Sequence, residues 1–510
     1  MVGGRGGSVS VIAAESPRAR AVASQRAASD PRASAWVAAS AGTGKTRVLT
    51  ERVLRLLLDG TRPEHILCLT FTKAAAAEMA TRLSRNLSAW AVISDGQLST
   101  AIEDLTGETP DDDRLRAARR LFARVLDAPG GIKIQTIHAF CQALLKRFPV
   151  EAEVAPHFTV LEERDALDLL GEVQRALLAT AMPGPGHDPA IASALSAVTG
   201  HASEAGFAEL VAELTQARGQ LRRLIDAVGG IATLEAAIFA GLGVDPEDDR
   251  DTVLTPAGLD GAFDGSGLRR AVEAMLEKGG KTDQAHGTLI AAWLDDPAGR
   301  NARFEDYERA FFTNDGPRRA RLITKPALAA APGADEALAA EADRIADVRA
   351  QLDAVTVARA SAGLMRLGAK MLDDYAARKT IGALLDFDDL IIKARGLLAE
   401  RAAAAWVLYK LDGGIDHILI DEAQDTNQDQ WEVVKALSEE FFAGEGRYAE
   451  RAPDRPRTVF AVGDVKQSIF SFQGADPDGF AAMRDYFDDK ITSAGEAFRE
   501  VGLDVSFRST

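Results

Sequence analysis

At 510 residues the chain exceeds what one ordinary hydrophobic core organises, so two or more domains are expected. Its 46% hydrophobic and 26% charged residues exclude disordered and fibrous classes, and a net charge of −17, from 59 basic and 76 acidic residues, argues against a generally basic nucleic-acid coat while leaving room for a local basic channel. The two cysteines, Cys68 and Cys141, lie far apart without metal-ligand spacing and fit buried thiols of a reducing cytosol, and neither a membrane-length apolar run nor a convincing secretory signal is present, so a cytoplasmic location is expected.

In chain order, residues 1–23 are rich in Gly, Ser, Arg and Ala and are expected to be poorly ordered. Gln25 follows in Ser-Gln-Arg-Ala-Ala-Ser-Asp-Pro. The segment Trp36-Val-Ala-Ala-Ser-Ala-Gly-Thr-Gly-Lys-Thr-Arg47 then breaks from an apolar run into a small-residue loop and enters a helix predicted over Thr46–Asp59, with Val48, Leu49, Val53, Leu56 and Leu57 on its buried stripe. The loop fits the phosphate-binding pattern G-x-x-x-x-G-K-S/T through Gly44, Lys45 and Thr46, with Ala39 at the first glycine position and Ser40, Ala41, Gly42 and Thr43 between. Small residues let backbone N–H groups close around a phosphate, the helix N-terminus adds partial positive charge, Lys45 can reach the β/γ-phosphates, and the Thr46 hydroxyl can ligate Mg²⁺. A run of small residues can also be no more than a turn, so the remaining segments decide the reading.

A buried strand is predicted over Ile66–Thr72, then an Ala-rich helix over Ala74–Leu87, a polar irregular stretch from Ala89 to Ala128 with a helix at Arg114–Leu126, a strand at Ile132–Thr136 and a helix beginning near His138. Alternation at this pitch means an open α/β sheet. From about Glu151 to Ala383 the composition shifts to Ala, Leu, Glu and Arg with Gly/Pro breaks, which marks an inserted, mainly helical domain over 151–383. The α/β pattern resumes at Asp386–Ile391, with strands at His417–Ile420 and Thr458–Val462, so one sheet domain is expected over 24–150 and 384–510.

Directly after His417–Ile420 comes Asp421-Glu-Ala-Gln-Asp-Thr426, two acids at the carboxyl end of a strand, where α/β sites lie. Asp421 can hold a phosphate-bridging Mg²⁺ and Glu422 can orient or deprotonate an attacking water. In Val462-Gly-Asp-Val-Lys-Gln-Ser-Ile-Phe-Ser-Phe-Gln-Gly-Ala475, Gln467 lies a few residues past a strand end and can face both a nucleotide and a neighbouring groove. Phe470 and Phe472 alternate with Ile469 and Ser471 and can stack on unpaired bases, although paired phenylalanines are more often core.

Taken together, these segments resemble the superfamily 1A helicases of the UvrD/RecB type. The phosphate loop matches their motif I, Leu69-Thr-Phe-Thr-Lys-Ala-Ala-Ala-Ala-Glu-Met79 motif Ia, the Asp421–Thr426 run motif II and the Gly463–Ala475 run motif III. Thr136-Ile-His-Ala-Phe-Cys-Gln-Ala-Leu-Leu-Lys-Arg-Phe-Pro149, Asp386-Phe-Asp-Asp-Leu390 and the form of motif III are most similar to the AddA branch, helicase–nuclease subunits of bacterial double-strand-break repair and recombination, with RecB next. The resemblance implies a P-loop, RecA-like parallel sheet as domain 1A with the helical insertion as domain 1B. It implies an ATP- and Mg²⁺-dependent 3′→5′ DNA helicase acting on single-stranded and duplex-end DNA, with an AddB-like partner subunit.

By the same resemblance Gln25 contacts the adenine edge, Arg47 and Phe507 sandwich the adenine ring, and Gln467 contacts the γ-phosphate. Arg508, in Val505-Ser-Phe-Arg-Ser509, stabilises the transferring phosphoryl group. Phe71, Phe470 and Phe472 stack on bases, and Thr72, Thr136 and His138 lie near the DNA backbone. Phe470 and Phe472 stand where UvrD-type chains commonly have Tyr and Trp, and Gln473 where they have Arg. Because the chain stops just after Val505–Ser509, which matches that family's motif IV, the expectation is that these 510 residues are the N-terminal ATP-binding portion, weak or inactive alone. The alternatives are a non-catalytic ATP- and DNA-binding fragment, a RecB/UvrD-type helicase of another repair pathway, or a phosphate-loop kinase or GTPase, which the paired acids and the aromatic loop disfavour.

Overall fold

A computed structural model describes residues 17–40, 42–399, 406–407, 410, 415–442, 456–464, 466 and 477–503. The chain divides into two compact units, one formed by 1–162 with 383–510 and the other by 163–382.

The first unit is built on six parallel strands: β1 Ser34–Ala39, β2 Ile66–Thr70, β3 Lys133–Thr136, β6 His417–Ile420, β7 Thr458–Gly463 and β8 Phe498–Leu503, in the order β3-β2-β6-β7-β1-β8. A short parallel pair, β4 Thr159–Val160 with β5 Leu384–Leu385, joins the two places where the chain leaves and re-enters this unit. Burial on both faces explains the near-continuous apolar runs of the central strands. Alternate residues feed two cores. Trp36, Leu67, Leu69, Ile418, Ile420, Val459 and Ala461 belong to one. Ala35, Val37, Ile66, Cys68, Leu419, Phe460 and Val462 belong to the other. Trp36 stacks on Trp431 with ring centroids 5.7 Å apart, fixing the helix Gln428–Ser438 beneath β1. Both cysteines are buried and free.

The phosphate-loop helix runs Lys45–Leu58 and buries the expected stripe. Three expectations need correction. The N-terminal region read as poorly ordered to residue 23 contains a helix, Pro17–Ala28, whose Ala-rich sequence favours helix and whose end is held by Arg55, donating to Arg26 O at 2.8 Å and Ser29 Oγ at 3.0 Å. The stretch read as irregular holds a second helix, Asp95–Thr106, started by a capping box between Ser94 and Gln97 and fixed by buried Leu98, Ile102 and Leu105. The boundary read at 151 falls at 162, because Ala152 and Phe158 belong to the core below the sheet and Val154 and Val160 pack against it.

The second unit is helical apart from an isolated antiparallel bridge between Phe312 and Arg318, and centres on the 48-residue helix Ala334–Ile381. Two apolar clusters share it, one with the helices from Ile231 to Ala330 and one with Glu163–Ala181 and Pro189–Thr199. Gly363 allows the close approach to Pro189–Thr199, since a Cβ there would lie 2.8 Å from the Ala194 carbonyl oxygen. No single helix among the described residues is long and apolar enough to cross a membrane; Arg218–Val228 and Ile231–Gly241 reach that apolarity only as a pair bent by 86°.

Candidate nucleotide site and nucleic-acid face

β1 delivers the phosphate loop to the carboxyl edge of the sheet. Gly42 and Gly44 have φ of 78° and 93°, in the left-handed region that favours glycine, and Thr43 closes the turn by donating through N and Oγ1 to Ser40 O at 3.2 and 2.7 Å. Ala39 is absent from the positive-φ residues and ends β1 as ordinary strand, so the first glycine position needs no left-handed backbone here. Gly44 caps the helix Lys45–Leu58 without a side-chain bond, which leaves the first-turn N–H groups available to an anion.

Buried Gln25 reaches the loop, donating from Nε2 to Thr43 O at 3.1 Å, so its helix is docked on the phosphate loop. Arg47, on the first turn, is largely exposed and paired with Glu51 at 2.6 Å.

β6 delivers the acids. Asp421 N donates to Leu69 O at 2.9 Å, and its Oδ1 accepts from Glu422 N at 3.1 Å. Burial first, and the neighbouring Glu422 second, push the Asp421 carboxyl up to about 6. Glu422 adopts φ 50°, uncommon for a side-chain-bearing residue, and its Oε2 accepts from Lys45 Nζ at 2.7 Å across 377 residues of sequence. The phosphate-loop lysine and the second acid are therefore in direct contact. Thr46 and Asp421 offer the hard oxygen donors that Mg²⁺ takes alongside nucleotide phosphates.

On the neighbouring strands, Phe71 and Thr72 follow β2, and Thr136 and His138 lie at and just after the end of β3, on the same edge of the sheet. The two threonines cap helices: Thr72 Oγ1 accepts from Ala75 N at 3.1 Å and Thr136 Oγ1 from Ala139 N at 3.2 Å. His138 meets the ring of Phe387 edge-on at 5.3 Å, and burial lowers its pKa against an opposing pull from Asp388. Ala41, Gln467, Phe470, Phe472, Phe507 and Arg508 lie outside the described residues.

Two residues escape a motif-based reading. Arg52 is fully buried and donates to the carbonyls of Ala28 at 3.2 Å, Asp30 at 2.6 Å and Ala33 at 2.6 Å and to Thr458 Oγ1 at 3.0 Å, tying the segment after Gln25 to the phosphate-loop helix and β7. A charged residue four positions after Val48, on an apolar stripe, is its signal in the sequence. The other is Gln424, inside the acidic run, which is 1% exposed and hydrogen-bonded to Glu422 and Asp464.

Residues 21–488 match the family model of the UvrD/REP helicase N-terminal domain. Among curated proteins, the chain is 28% identical over 513 residues to an ATP-dependent helicase/nuclease subunit of Desulforudis audaxviator, covering 93% of this chain and 37% of that protein. Proteins of the same description from Pelotomaculum thermopropionicum and Enterococcus faecalis are 26% and 25% identical, each over 93% of this chain and 36% of theirs. The chain thus spans about a third of the length of the curated relatives it matches.

Proposed function

The chain belongs to the family of the UvrD/REP helicase N-terminal domain, and from that premise we propose that it is the ATP-binding part of an ATP-dependent DNA helicase of the AddA type, acting in double-strand-break repair and recombination. The observation that carries this reading is the 2.7 Å contact between Lys45 and Glu422, which brings the phosphate loop and the acidic run to one point.

In this reading the backbone N–H groups at the loop's end and in the first helical turn, with the Lys45 ammonium, hold the phosphates of ATP. Thr46 and Asp421 hold Mg²⁺, which neutralises phosphate charge. Glu422 accepts the proton of the water that attacks the γ-phosphate. Gln25, beside the loop, reads the adenine edge, with Arg47 and Phe507 against its ring; Gln467 and Arg508 respond to the γ-phosphate. The sheet edge carrying Phe71, Thr72, Thr136 and His138, with Phe470 and Phe472, tracks single-stranded DNA in the 3′→5′ sense. The sheet unit serves as domain 1A and the helical unit as domain 1B, in a cytoplasmic enzyme acting on duplex ends with an AddB-like partner.

The test is magnesium-dependent nucleotide binding and single-strand-stimulated hydrolysis, compared with Lys45→Ala. The substitution should abolish hydrolysis and weaken ATP binding while circular dichroism and melting stay near wild type, because Lys45 serves phosphate charge rather than packing. A protein that binds no nucleotide, prefers GTP, or hydrolyses ATP normally without Lys45 overturns the proposal.

A further inference from the structure

Gln424 sits in the short turn Ala423–Asp425 that follows the acidic pair, and its side chain is sealed from solvent. Its amide is fully engaged. Nε2 donates to Glu422 Oε2 at 2.9 Å and to Asp425 Oδ2 at 3.0 Å, and Oε1 accepts from the backbone N–H of Asp464 at 2.8 Å. The orientation is dictated by chemistry: a backbone N–H only donates and an ionised carboxylate only accepts, so oxygen faces Asp464 and nitrogen faces the acids.

The site is shaped for this side chain. Gly463 ends β7 with its Cα so close that a Cβ would lie 2.7 Å from Gln424 Oε1 and 3.0 Å from the Phe480 ring. Asp464 is itself buried, and its Oδ1 accepts from Lys466 N at 3.1 Å, so the backbone leaving β7 is fixed at the point where the amide grips it.

The second consequence concerns Glu422. Its Oε2 carries two donors, Lys45 Nζ and Gln424 Nε2, and no donor among the described residues is placed on Oε1. Nucleotide phosphates compete for Lys45, and once the ammonium turns to them the Gln424 amide is the donor that still holds the carboxylate. A base displaced by about 1 Å can lose about 10²-fold in rate. We propose that Gln424 is a positioning residue: it holds the Glu422 carboxylate with Oε1 free for water and ties that carboxylate to the Asp464 backbone, so that movement of the segment beginning at Asp464 alters the aim of the base. This rests on the reading of Glu422 as general base.

Three variants separate the parts of this tie. Gln424→Met keeps the shape and removes both functions of the amide; Gln424→Glu keeps an acceptor for Asp464 N–H and removes the donor to Glu422; Gly463→Ala pushes the amide away from a neighbouring position. The readouts are hydrogen exchange at the Asp464 amide, ATP affinity, kcat against KM, and stimulation by single-stranded DNA. Gln424→Met and Gly463→Ala should speed exchange at Asp464 by about tenfold or more, lower kcat by about tenfold to 10²-fold at nearly constant ATP affinity, and reduce stimulation by DNA. Gln424→Glu should keep the protection at Asp464 and lose kcat. Unchanged exchange in Gln424→Met removes the tie, and raised exchange with kcat and DNA stimulation within about twofold of wild type removes the positioning role. Should Gln424→Met or Gly463→Ala fail to fold, the other keeps the contrast with Gln424→Glu, and should Gln424→Glu fail, the remaining pair still tests the tie and its effect on kcat. A Glu422→Gln protein that hydrolyses ATP as fast as wild type overturns the role assigned to Glu422 and the positioning role with it, and exchange at Asp464 then reports separately whether the tie exists.

Discussion

Glu422→Gln tests the central contact from its electrostatic side. Lys45 is 12% and Glu422 34% exposed at their side chains, and the two meet at 2.7 Å. Two unit charges about 4 Å apart near a protein surface attract by about 4 kcal/mol before screening and side-chain entropy are counted. Exposed pairs retain about 0.2–1 kcal/mol and breaking buried pairs costs about 3–5 kcal/mol. A lysine this buried facing a glutamate one-third exposed falls between, at about 1–2 kcal/mol. ATP must take Lys45 from this partner, so removing the glutamate charge should tighten ATP binding by about 5–30-fold, since about 1.4 kcal/mol corresponds to tenfold. The isosteric amide still accepts from Lys45 Nζ, which isolates the charge from the shape. A neutral amide cannot take the water's proton, so single-turnover hydrolysis should fall by about 10²–10⁴-fold. Titration with a fluorescent ATP analogue, paired with a rapid-quench time course, gives both numbers. Weaker binding in Glu422→Gln would show that the pair does not compete with phosphate, and near-normal hydrolysis would remove Glu422 as the base.

Arg52→Met strips the donor from the buried carbonyls of Ala28, Asp30 and Ala33, and although it also relieves the burial that lowers the Arg52 pKa to about 9, it should cost about 3 kcal/mol net, read as a lower urea midpoint; an unchanged midpoint refutes the tie. Because the Asp421 carboxyl is held up at about 6, a proton competes there with Mg²⁺: the charged form dominates above that value and the neutral form below it. Magnesium-dependent ATP affinity should therefore fall as pH drops through about 6, and Asp421→Asn should lose both the metal and the pH dependence; a flat profile across that range in the wild type counts against Asp421 as ligand. Replacing both Phe470 and Phe472 with alanine should weaken single-strand binding by well over about tenfold, at about 1–3 kcal/mol per stacked base, with little change in DNA-independent hydrolysis. An unfolded double variant would place the two rings in the core instead.

How much of this was legible in the sequence depends on the range of the interaction. The strand His417–Ile420 appears with the bounds expected from its apolar run, and the phosphate-loop helix begins within one residue of its predicted start, because both follow from local patterning. The helix Asp95–Thr106 was legible in principle through Ser94 and Gln97, but Gly96 and the polar residues among Leu98, Ile102 and Leu105 dilute its stripe. The left-handed backbone of Glu422 has no residue-type signal, since glutamate is not a residue that favours it. Gln424 is equally silent, because its acceptor Oε1 finds its partner 40 residues away.

What the motifs cannot state singly, the parallel sheet states jointly. Every pairing in the six-stranded sheet is parallel, so the carboxyl ends of β1, β2, β3, β6 and β7 open on one edge. Five of the chemistry-bearing segments lie at or directly after those ends: the phosphate loop after β1, Phe71 and Thr72 after β2, Thr136 and His138 at β3, the acids after β6, and Asp464 after β7, while Gln25 reaches the loop from the helix that precedes β1. Once the strands are known to be parallel, convergence on that edge follows from topology, but which pairs touch depends on strand order. β7 lies between β1 and β6, and the Lys45 side chain crosses that gap to reach Glu422. The two acids and the Asp464 backbone lie on adjacent strands, close enough for a single amide to bridge them. A lysine reaching two strands over is easily drawn off by a phosphate, whereas an amide packed between neighbouring strands is not. That difference in reach is the physical reason to expect Lys45 to change partners on nucleotide binding and Gln424 to keep its own.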